Sequence, residues 1–316
     1  MTSTVIRVAG ADAGGSHTAA VVTDGALRVL GRAEGPGGAV RPGAVDASAD
    51  AIVDTIGDAL HSAGGGQLVA CVVGAAGAGD AAVQAALADA LRARGTPAHT
   101  TVTTDADVAF ASAFPEGPGI LVLAGTGSIA LARGTAGGRH RVGGRGWRVG
   151  DEGSGYALGR AGLAAVVRAL ERRGPETALA GSIPAALGLR DGADLVAWAG
   201  RAEPRAIAAL GAMVQQAAEV GDAVAGGLLD TAADDLVAHV LALRPHFADD
   251  RAVPVVLSGG ALVASRPLRA RVLARLGARA SWTTVRDVEV DGAVGAARIA
   301  LRPDAWTPRA EGSGGA

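Results

Sequence analysis

The feature that most constrains this chain is a glycine-containing loop between two short apolar segments near its start. Residues 6–11 form a mostly apolar, partly β-branched run of the kind that makes a buried strand. The run ends at Asp12, and Gly14 and Gly15 follow before a second apolar run begins at Ala19. Because glycine has no Cβ, backbone N–H groups at these positions can approach an anion closely. The pattern predicts a phosphate-binding loop between two strands.

Side chains around this loop suit the same chemistry. Ser16 and Thr18 add hydroxyl donors, and Asp12 is a hard oxygen ligand suited to Mg²⁺. A Rossmann fingerprint or a Walker A loop is followed by a helix, and Walker A also needs a lysine. Here a second strand follows, and all 29 residues in the combined lysine and arginine total are arginine. Those two nucleotide loops are therefore excluded, whereas an ordinary glycine-rich hairpin stays open as an alternative.

Composition sets the limits on the class of protein. With 316 residues, 49% of them hydrophobic and 19% charged, the chain can bury a sizeable core and predicts about two domains. A net charge of −2 gives no electrostatic reason to bind nucleic acid. A lone cysteine, Cys71, excludes an internal disulfide and fits a reducing compartment. With neither a signal-peptide pattern nor a long apolar span, we expect a cytoplasmic protein with no membrane partner.

Periodicity along the chain predicts alternating strands and helices. The first hundred residues read as three strands, a helix at 46–61, a strand, a helix at 80–94 and a short strand, with a flexible glycine-rich loop at 35–43. Residues 152–247 are predicted to be nearly all helix. A strand at 253–257, a helix, a short strand near 282–285 and a final helix from about 291 follow.

A second loop repeats the opening pattern. Strand 120–124 leads into Gly125, Thr126, Gly127 and Ser128, and another apolar strand follows directly. The two loops are about 110 residues apart. Their likeness predicts two related halves.

Several glycine motifs occur together in a familiar order. The two loops, Gly-Ala-Ala-Gly at 74–77, Ser-Gly-Gly-Ala at 258–261 and Asp-Gly-Ala-Val-Gly-Ala at 291–296 together resemble the actin-type ATPase fold. Gly-Asp-Glu-Gly-Ser-Gly-Tyr at 150–156 is similar to the N-acetylglucosamine kinase and BadF-BadG-BcrA-BcrD ATPase family. The resemblance spans about Val5 to Leu301.

This resemblance implies an α/β fold of the two-domain, actin-like (ribonuclease H-like) type with an interdomain nucleotide cleft. Its domains would be 1–103 and 104–290, the second with a helical insertion at about 152–247. The helix at 291–302 would pack back on the first domain, and 303–316 would be a disordered tail.

The resemblance also implies ATP and Mg²⁺ as cofactors. The positions it assigns to the nucleotide are Asp12, Gly14, Gly15, Ser16, Thr18, Gly125, Thr126, Gly127, Ser128, Gly259 and Gly260. Among them, Asp12 would hold the metal through water, and Gly259 and Gly260 would let the backbone pass beside adenosine. The alternative for this last loop is an ordinary strand–helix turn.

For the acceptor, the resemblance assigns Asp105 as the general base. A carboxylate at a sugar hydroxyl can accept its proton while the γ-phosphoryl group transfers in line. An aspartate after a threonine is also an ordinary helix cap, and Asp107 is a second candidate for the base. Asp151 would accept hydrogen bonds from sugar hydroxyls, and Glu152 is either a sugar contact or a first-turn helix carboxylate.

The chain departs from the family pattern where the sugar would bind. Arg145 stands where a tryptophan is common, with Gly146 and Trp147 after it, and the loop at 35–40 lacks the asparagine often found there. His17 replaces a frequent lysine or arginine in the first loop. Arg145 could instead recognise an acidic group on the acceptor.

The function that the resemblance implies is that of an ATP-dependent kinase, which acts on a hydroxyl of an amino sugar, N-acetylglucosamine or glucosamine. The resemblance also implies a homodimer.

One alternative is an ATPase of the BadF/BcrA type that activates a partner protein. Such activators hold an iron–sulfur cluster with two cysteines per subunit, and a dimer with Cys71 alone offers two of four thiolates. A sugar-sensing repressor would need a DNA-binding segment before the first loop, where this sequence has only Met1 to Thr4. A non-catalytic nucleotide-binding protein is the remaining alternative.

Overall fold

The computed structural model describes residues 6–41, 43–248, 252–263 and 266–302. The strands are β1 (Arg7–Ala13), β2 (His17–Asp24), β3 (Val29–Pro36), β4 (Ala70–Ala75), β5 (Thr100–Thr104), β6 (Gly119–Ala124), β7 (Ser128–Arg133), β8 (Arg139–Gly143), β9 (Val253–Ser258) and β10 (Thr283–Arg286). The helices are α1 (Val45–Ser62), α2 (Ala81–Ala93), α3 (Asp105–Ala113), α4 (Gly155–Leu170), α5 (Leu179–Leu187), α6 (Gly192–Ala199), α7 (Pro204–Glu219), α8 (Ala223–Ala242), α9 (Gly260–Val263), α10 (Arg266–Arg279) and α11 (Gly292–Ala300).

The chain divides into two units. Unit 1 comprises Met1–Glu116 and Glu289–Ala316, and unit 2 comprises Gly117–Val288. The predicted boundary after residue 103 therefore differs from the structural one, since α3 packs against α11 and β4 within unit 1. Sequence alone could not place α3, because its partner helix α11 lies at the far end of the chain.

Unit 1 is built on a mixed five-stranded sheet of order β3-β2-β1-β4-β5. The first three strands are antiparallel, and β4 and β5 run parallel to β1. Successive side chains of a strand point to opposite faces, so Ala9 and Ala11 of β1 pack with α1 while Val8 faces α3 and α11. At Gly10, an added Cβ would lie 2.2 Å from Ala293 O, so only glycine allows α11 to pack this closely.

Unit 2 has a second five-stranded sheet of order β10-β9-β6-β7-β8. Its three antiparallel strands and two parallel strands are connected as in unit 1, which is the repetition that the two loops predict. Helices α4–α8 lie between β8 and β9, where the sequence predicts a helical insertion. Their apolar residues form one core with β6, β7 and β9, including Leu158, Ile183 and Leu236.

The glycine-rich loop at 35–43 is more ordered than predicted. Its first two residues end β3, and Ala39 N–H donates to Gly14 O over 3.1 Å. Val40 N–H donates to Ala76 O over 2.8 Å, and the Ser48 hydroxyl donates to Ala39 O over 2.9 Å. These bonds fix the loop beside the end of β1, so the interpretation of a flexible loop is wrong for its described residues.

Two further expectations concern the C-terminal tail and membrane-spanning helices. The predicted disordered tail at 303–316 lies outside the described residues. Within the described part of the chain, no helix combines the length and the apolar character needed to cross a bilayer.

Candidate functional site

The loop between β1 and β2 is a tight, glycine-dependent turn. Gly14 N–H donates to His17 O over 3.0 Å, and a Cβ on Gly37 would lie 2.6 Å from Gly15 O. The side chain of Ser16 is exposed at the tip. The loop is thus packed at Gly15 and exposed to solvent at Ser16.

The side chain of Thr18 does not point to where a phosphate could bind, in contrast to the prediction. It is fully buried, and its hydroxyl donates to Pro36 O over 2.7 Å. That proton is committed to a backbone carbonyl, so Thr18 holds the end of β3 in place. The interpretation of Thr18 as a direct phosphate donor is therefore corrected by the packing of the loop.

Asp12, near the end of β1, has a strongly perturbed carboxyl group. Its pKa rises from 3.8 to about 7, first because it is buried and then because of the negative charges of Asp105 and Asp291. Oδ2 of Asp12 would lie 2.1 Å from a Cβ on Gly292, so the carboxylate is packed against the start of α11. The charges of Asp105 and Asp291 thus both act on Asp12 within unit 1.

Asp105 begins α3 but does not cap it. The Thr104 hydroxyl accepts the N–H of Asp107 over 3.1 Å and is the cap, so the interpretation of Asp105 as an ordinary cap is wrong. Asp105 is exposed, whereas the Thr103 hydroxyl donates to Asp107 Oδ2 over 2.7 Å. Of the two candidate bases, Asp105 is the one whose charge raises the pKa of Asp12.

Asp291 is a functional candidate that the sequence analysis did not single out. Its Oδ1 caps α11 by accepting Val294 N–H over 3.0 Å, and Arg32 of β3 pairs with its other oxygen. An Asp-Gly pair at a helix start is a common local pattern, and only the fold reveals its proximity to Asp12.

Asp12, Asp105 and Asp291 form an acidic cluster in unit 1. This cluster suits a divalent cation that retains water molecules and phosphate oxygens among its ligands. Burial and mutual repulsion raise the pKa of Asp12, and a cation would relieve both effects. Among the described residues, no group of three or more histidine, cysteine, aspartate or glutamate side chains could hold a metal ion by itself. This matches Mg²⁺, which usually binds through one or two carboxylates together with substrate phosphates.

In unit 2, the loop after β6 is tied to the turn that precedes α4. The Ser128 hydroxyl donates to Glu152 O over 2.6 Å, and Gly155 N–H donates to Gly125 O over 2.8 Å. Ser128 is buried, so its hydroxyl proton is used within the protein, as that of Thr18 is. Thr126 is exposed at the tip of this loop. Gly125 N–H also donates within the loop, to Gly127 O over 2.9 Å. The direct phosphate donors left in the second loop are therefore Thr126 and the remaining backbone N–H groups.

Asp151 occupies a strained and buried position in the same turn. Its φ of 61° lies in the left-handed region, which non-glycine residues seldom adopt. Burial raises its pKa, and backbone N–H groups of Gly146 and Ser128 donate to the carboxylate and oppose that rise. A Cβ on Gly127 would lie 2.7 Å from Asp151 Oδ2, so glycine is required beside it. Strain of this kind is characteristic of functional sites.

The segment before this turn carries the cationic and aromatic candidates. Trp147 lies 5.3 Å from Tyr156 between ring centroids, and the Arg148 guanidinium lies 4.5 Å from the Trp147 ring. Arg145 is exposed, and Gly146 bends the backbone at a φ of 90°. Through its N–H to Asp151, Gly146 connects this segment to the buried carboxylate.

The loop after β9 is adjacent to the second glycine loop. Gly259 has a φ of 93°, and a Cβ there would lie 2.5 Å from Ala124 O, just before Gly125. Gly260 is exposed at the start of α9. Unit 2 therefore brings together the predicted adenosine loop and one of the two predicted phosphate loops.

Two sheets of one topology, each with a glycine loop after its first strand, define the actin-like ATPase class of fold. The model of the BadF/BadG/BcrA/BcrD ATPase family matches residues 9–300, and the chain belongs to that family. The predicted fold class and family are both confirmed.

Similarity to individual proteins is in agreement with this family. An N-acetylmuramic acid/N-acetylglucosamine kinase of Clostridium acetobutylicum is 35% identical over 176 residues, which cover 55% of this chain and 58% of the relative. An N-acetyl-D-glucosamine kinase of Dictyostelium discoideum is 31% identical over 148 residues, covering 45% and 46%. The matched segments thus span about half the length of these curated relatives.

Structural similarity extends over nearly the whole chain. A Chromobacterium violaceum protein, solved as a candidate N-acetylglucosamine kinase, has a TM-score of 0.78 and 29% identity. The alignment covers 95% of this chain and 100% of that structure.

Proposed function

We propose that this protein is an ATP-dependent kinase that transfers the γ-phosphoryl group to a hydroxyl of an amino sugar, N-acetylglucosamine or glucosamine. The observation that supports the proposal is that Asp12 and Asp105 lie at the carboxyl ends of the parallel strands β1 and β5, at one edge of the sheet, where the charge of Asp105 raises the pKa of Asp12. Phosphoryl transfer to an alcohol uses two such acidic groups, a base and a carboxylate that binds the metal.

In this reaction the sugar hydroxyl attacks the γ-phosphorus of ATP, and the bond to the bridging oxygen of ADP breaks. Asp105 accepts the hydroxyl proton, so ADP and the sugar phosphate are the products. In unit 1, the Gly15 N–H and the Ser16 hydroxyl would bind phosphate, and Gly14, whose N–H donates to His17 O, would shape the turn. In unit 2, Thr126 and the Gly127 N–H would bind phosphate and Gly125, whose N–H donates to Gly127 O, would shape the loop, with Gly259 and Gly260 beside adenosine.

Mg²⁺, when bound, would neutralise phosphate charge, with Asp12 holding it through water and Asp291 close by. Because the ion favours the ionised carboxylate, Asp12 would be charged in the nucleotide complex even though its pKa is about 7 in the free protein. Thr18 and Ser128 support the loops through their backbone contacts.

Acceptor recognition would come from the strained turn of unit 2. Asp151 is aligned by two backbone donors and can accept hydrogen bonds from sugar hydroxyls, while the half-exposed Glu152 offers a second carboxylate. Trp147 presents an aromatic ring, 41% exposed, against which a sugar ring can stack. Arg145 adds a cation where a carboxylated sugar could be recognised.

Activation of a partner protein by ATP hydrolysis is the competing function within the same family. Cys71 is fully buried in the core of unit 1, and burial raises the pKa of its thiol to about 12. Such a thiol is a poor cluster ligand, because metals bind the thiolate. The kinase is therefore the preferred function, in a protein that we propose to be a cytoplasmic homodimer.

The proposal is tested by measuring ADP release from Mg·ATP with N-acetylglucosamine, glucosamine, glucose, N-acetylmuramic acid or no sugar. We expect release that depends on an amino sugar and that disappears in Asp105→Ala. Release that is equal with and without every sugar, and is unaffected by Asp105→Ala, would contradict the kinase. Light scattering of the eluting protein separately tests the dimer.

A further inference from the structure

A buried histidine of unit 2 lies next to Glu152, one of the residues proposed to bind the acceptor. His239 is on α8, is 8% exposed and has its Nε2 3.8 Å from Glu152 Oε2. A Cβ on Gly143 would lie 2.8 Å from the same nitrogen, so the ring is pressed against the end of β8. Its Nδ1 has no hydrogen-bond partner. Of the two ring nitrogens, only Nε2 therefore has a polar neighbour, and that neighbour is Glu152.

The surroundings of His239 are acidic. Glu152 and Asp151 face it from the turn before α4, and Asp235 faces it from one helical turn earlier on α8. On β8, the Arg141 guanidinium donates to the carbonyls of Gly143 and Gly144 and also lowers the pKa of Asp151. The three carboxylates favour a proton on His239, but burial outweighs them and keeps its pKa below the ordinary value.

These contacts determine the protonation state and the tautomer of the His239 ring near neutral pH. A proton on Nδ1 would be buried without an acceptor, whereas a proton on Nε2 points toward a carboxylate. His239 is therefore neutral, with Nε2–H toward Glu152. The 3.8 Å separation between Nε2 and Oε2 is that of an ion pair or polar contact and is longer than a hydrogen bond, and the Glu152 side chain is half exposed.

We propose that His239 is a positioning residue for the acceptor: its Nε2–H holds one oxygen of Glu152, so that the other oxygen is directed to a sugar hydroxyl. The inference rests on the proposed kinase function and adds to it a specific residue on α8.

The alternative to be excluded is that His239 only fills space in the core. Two substitutions separate the roles. His239→Gln keeps an N–H donor at a similar reach, and His239→Leu keeps bulk but removes the donor. Glu152→Gln and the double variant His239→Leu/Glu152→Gln complete a thermodynamic cycle.

We expect His239→Leu to raise KM for N-acetylglucosamine about tenfold, the scale of one lost hydrogen bond to a charged group. KM for ATP should stay within about twofold, and His239→Gln should recover most of the sugar affinity. The double variant should be no worse than Glu152→Gln alone, because His239 acts through Glu152. Glu152→Gln should also lower the NMR-measured pKa of His239, since it removes a nearby negative charge.

Each contrary result has its own meaning. Additive losses in the cycle, or a fall in melting temperature with an unchanged sugar KM, would overturn the positioning role and leave the kinase intact. An NMR pKa of His239 that does not respond to Glu152→Gln would overturn the contact itself. Wild-type protein that releases ADP without any dependence on sugar would overturn the kinase, and the positioning role with it.

Discussion

The carboxylate of Asp12 is packed against the first residue of α11: a Cβ on Gly292 would stand 2.1 Å from Asp12 Oδ2. Gly292 follows Asp291, whose charge also acts on Asp12. The relationship joins the end of the first strand to the last helix of the same unit. It explains how a carboxyl group proposed to hold a metal is largely shielded from water and acted on by the charges of other acidic groups.

Gly292→Ala is expected to destabilise the protein by about 1–3 kcal/mol, since the added methyl group must displace Asp12 or the start of α11. Urea unfolding measures the difference. Gly57→Ala is the matched control, because a Cβ on Gly57 in the exposed face of α1 meets nothing within 4 Å. The control should stabilise by about 0.5–1 kcal/mol, as alanine does in a helix. Equal effects of the two variants would contradict the close contact.

Asp12→Asn should make the free protein more stable, and more so as pH rises. Because the folded pKa of Asp12 is about 7 and its ordinary value is 3.8, ionisation costs folding energy as pH rises through this window. The cost is absent below about pH 4 and reaches about 4 kcal/mol above pH 7. Thermal melts from pH 4 to 8 should therefore diverge in favour of the variant. Parallel curves would show that Asp12 has an ordinary pKa.

Asp105→Asn should reduce sugar phosphorylation by about 10²–10⁴, the contribution of a general base, with little change in melting temperature, because Asp105 is exposed. Asp107→Asn is the control on the same helix: it weakens the bond from Thr103 and should cost stability rather than turnover. Steady-state rates and melts of both variants decide the assignment. A larger loss of rate in Asp107→Asn would make Asp107 the base.

Arg145→Ala should weaken the use of a carboxylated sugar such as N-acetylmuramic acid while leaving N-acetylglucosamine within about twofold. The exposed guanidinium would pair with the acidic group of the first sugar and has no such partner on the second. The ratio of kcat/KM for the two sugars is the measurement. Arg168→Ala, on the last turn of α4, controls for the loss of one positive charge. An unchanged ratio in Arg145→Ala would remove Arg145 from acceptor recognition.

Secondary structure in this chain could be predicted where the hydrophobic pattern was strong. Branched apolar runs located β4, β6 and β9, and Asp80 marked the start of α2, which it caps. Strand β8 was missed, because every one of its residues is exposed or only partly buried and the strand shows no alternation. A strand of that kind exists only because β7 offers it a hydrogen-bonding edge.

The sequence predicts where the loops of the candidate site lie, but not the directions in which their side chains point. Glycine and hydroxyl residues located both loops, yet packing turns Thr18 toward Pro36 O and Ser128 toward Glu152 O. The contributions of Asp291 and His239 depend on contacts with residues far away in the sequence. No local pattern carries that information, so only the fold could reveal them.

The most direct test of the kinase follows the labelled γ-phosphoryl group of ATP in the presence of N-acetylglucosamine and Mg²⁺. The account predicts that the label appears in a sugar phosphate in equal amount to ADP, and that Asp105→Asn slows this transfer by about 10²–10⁴. Label recovered only as inorganic phosphate, at a rate indifferent to sugar and to Asp105, would contradict the account and favour an ATPase that acts on a partner protein.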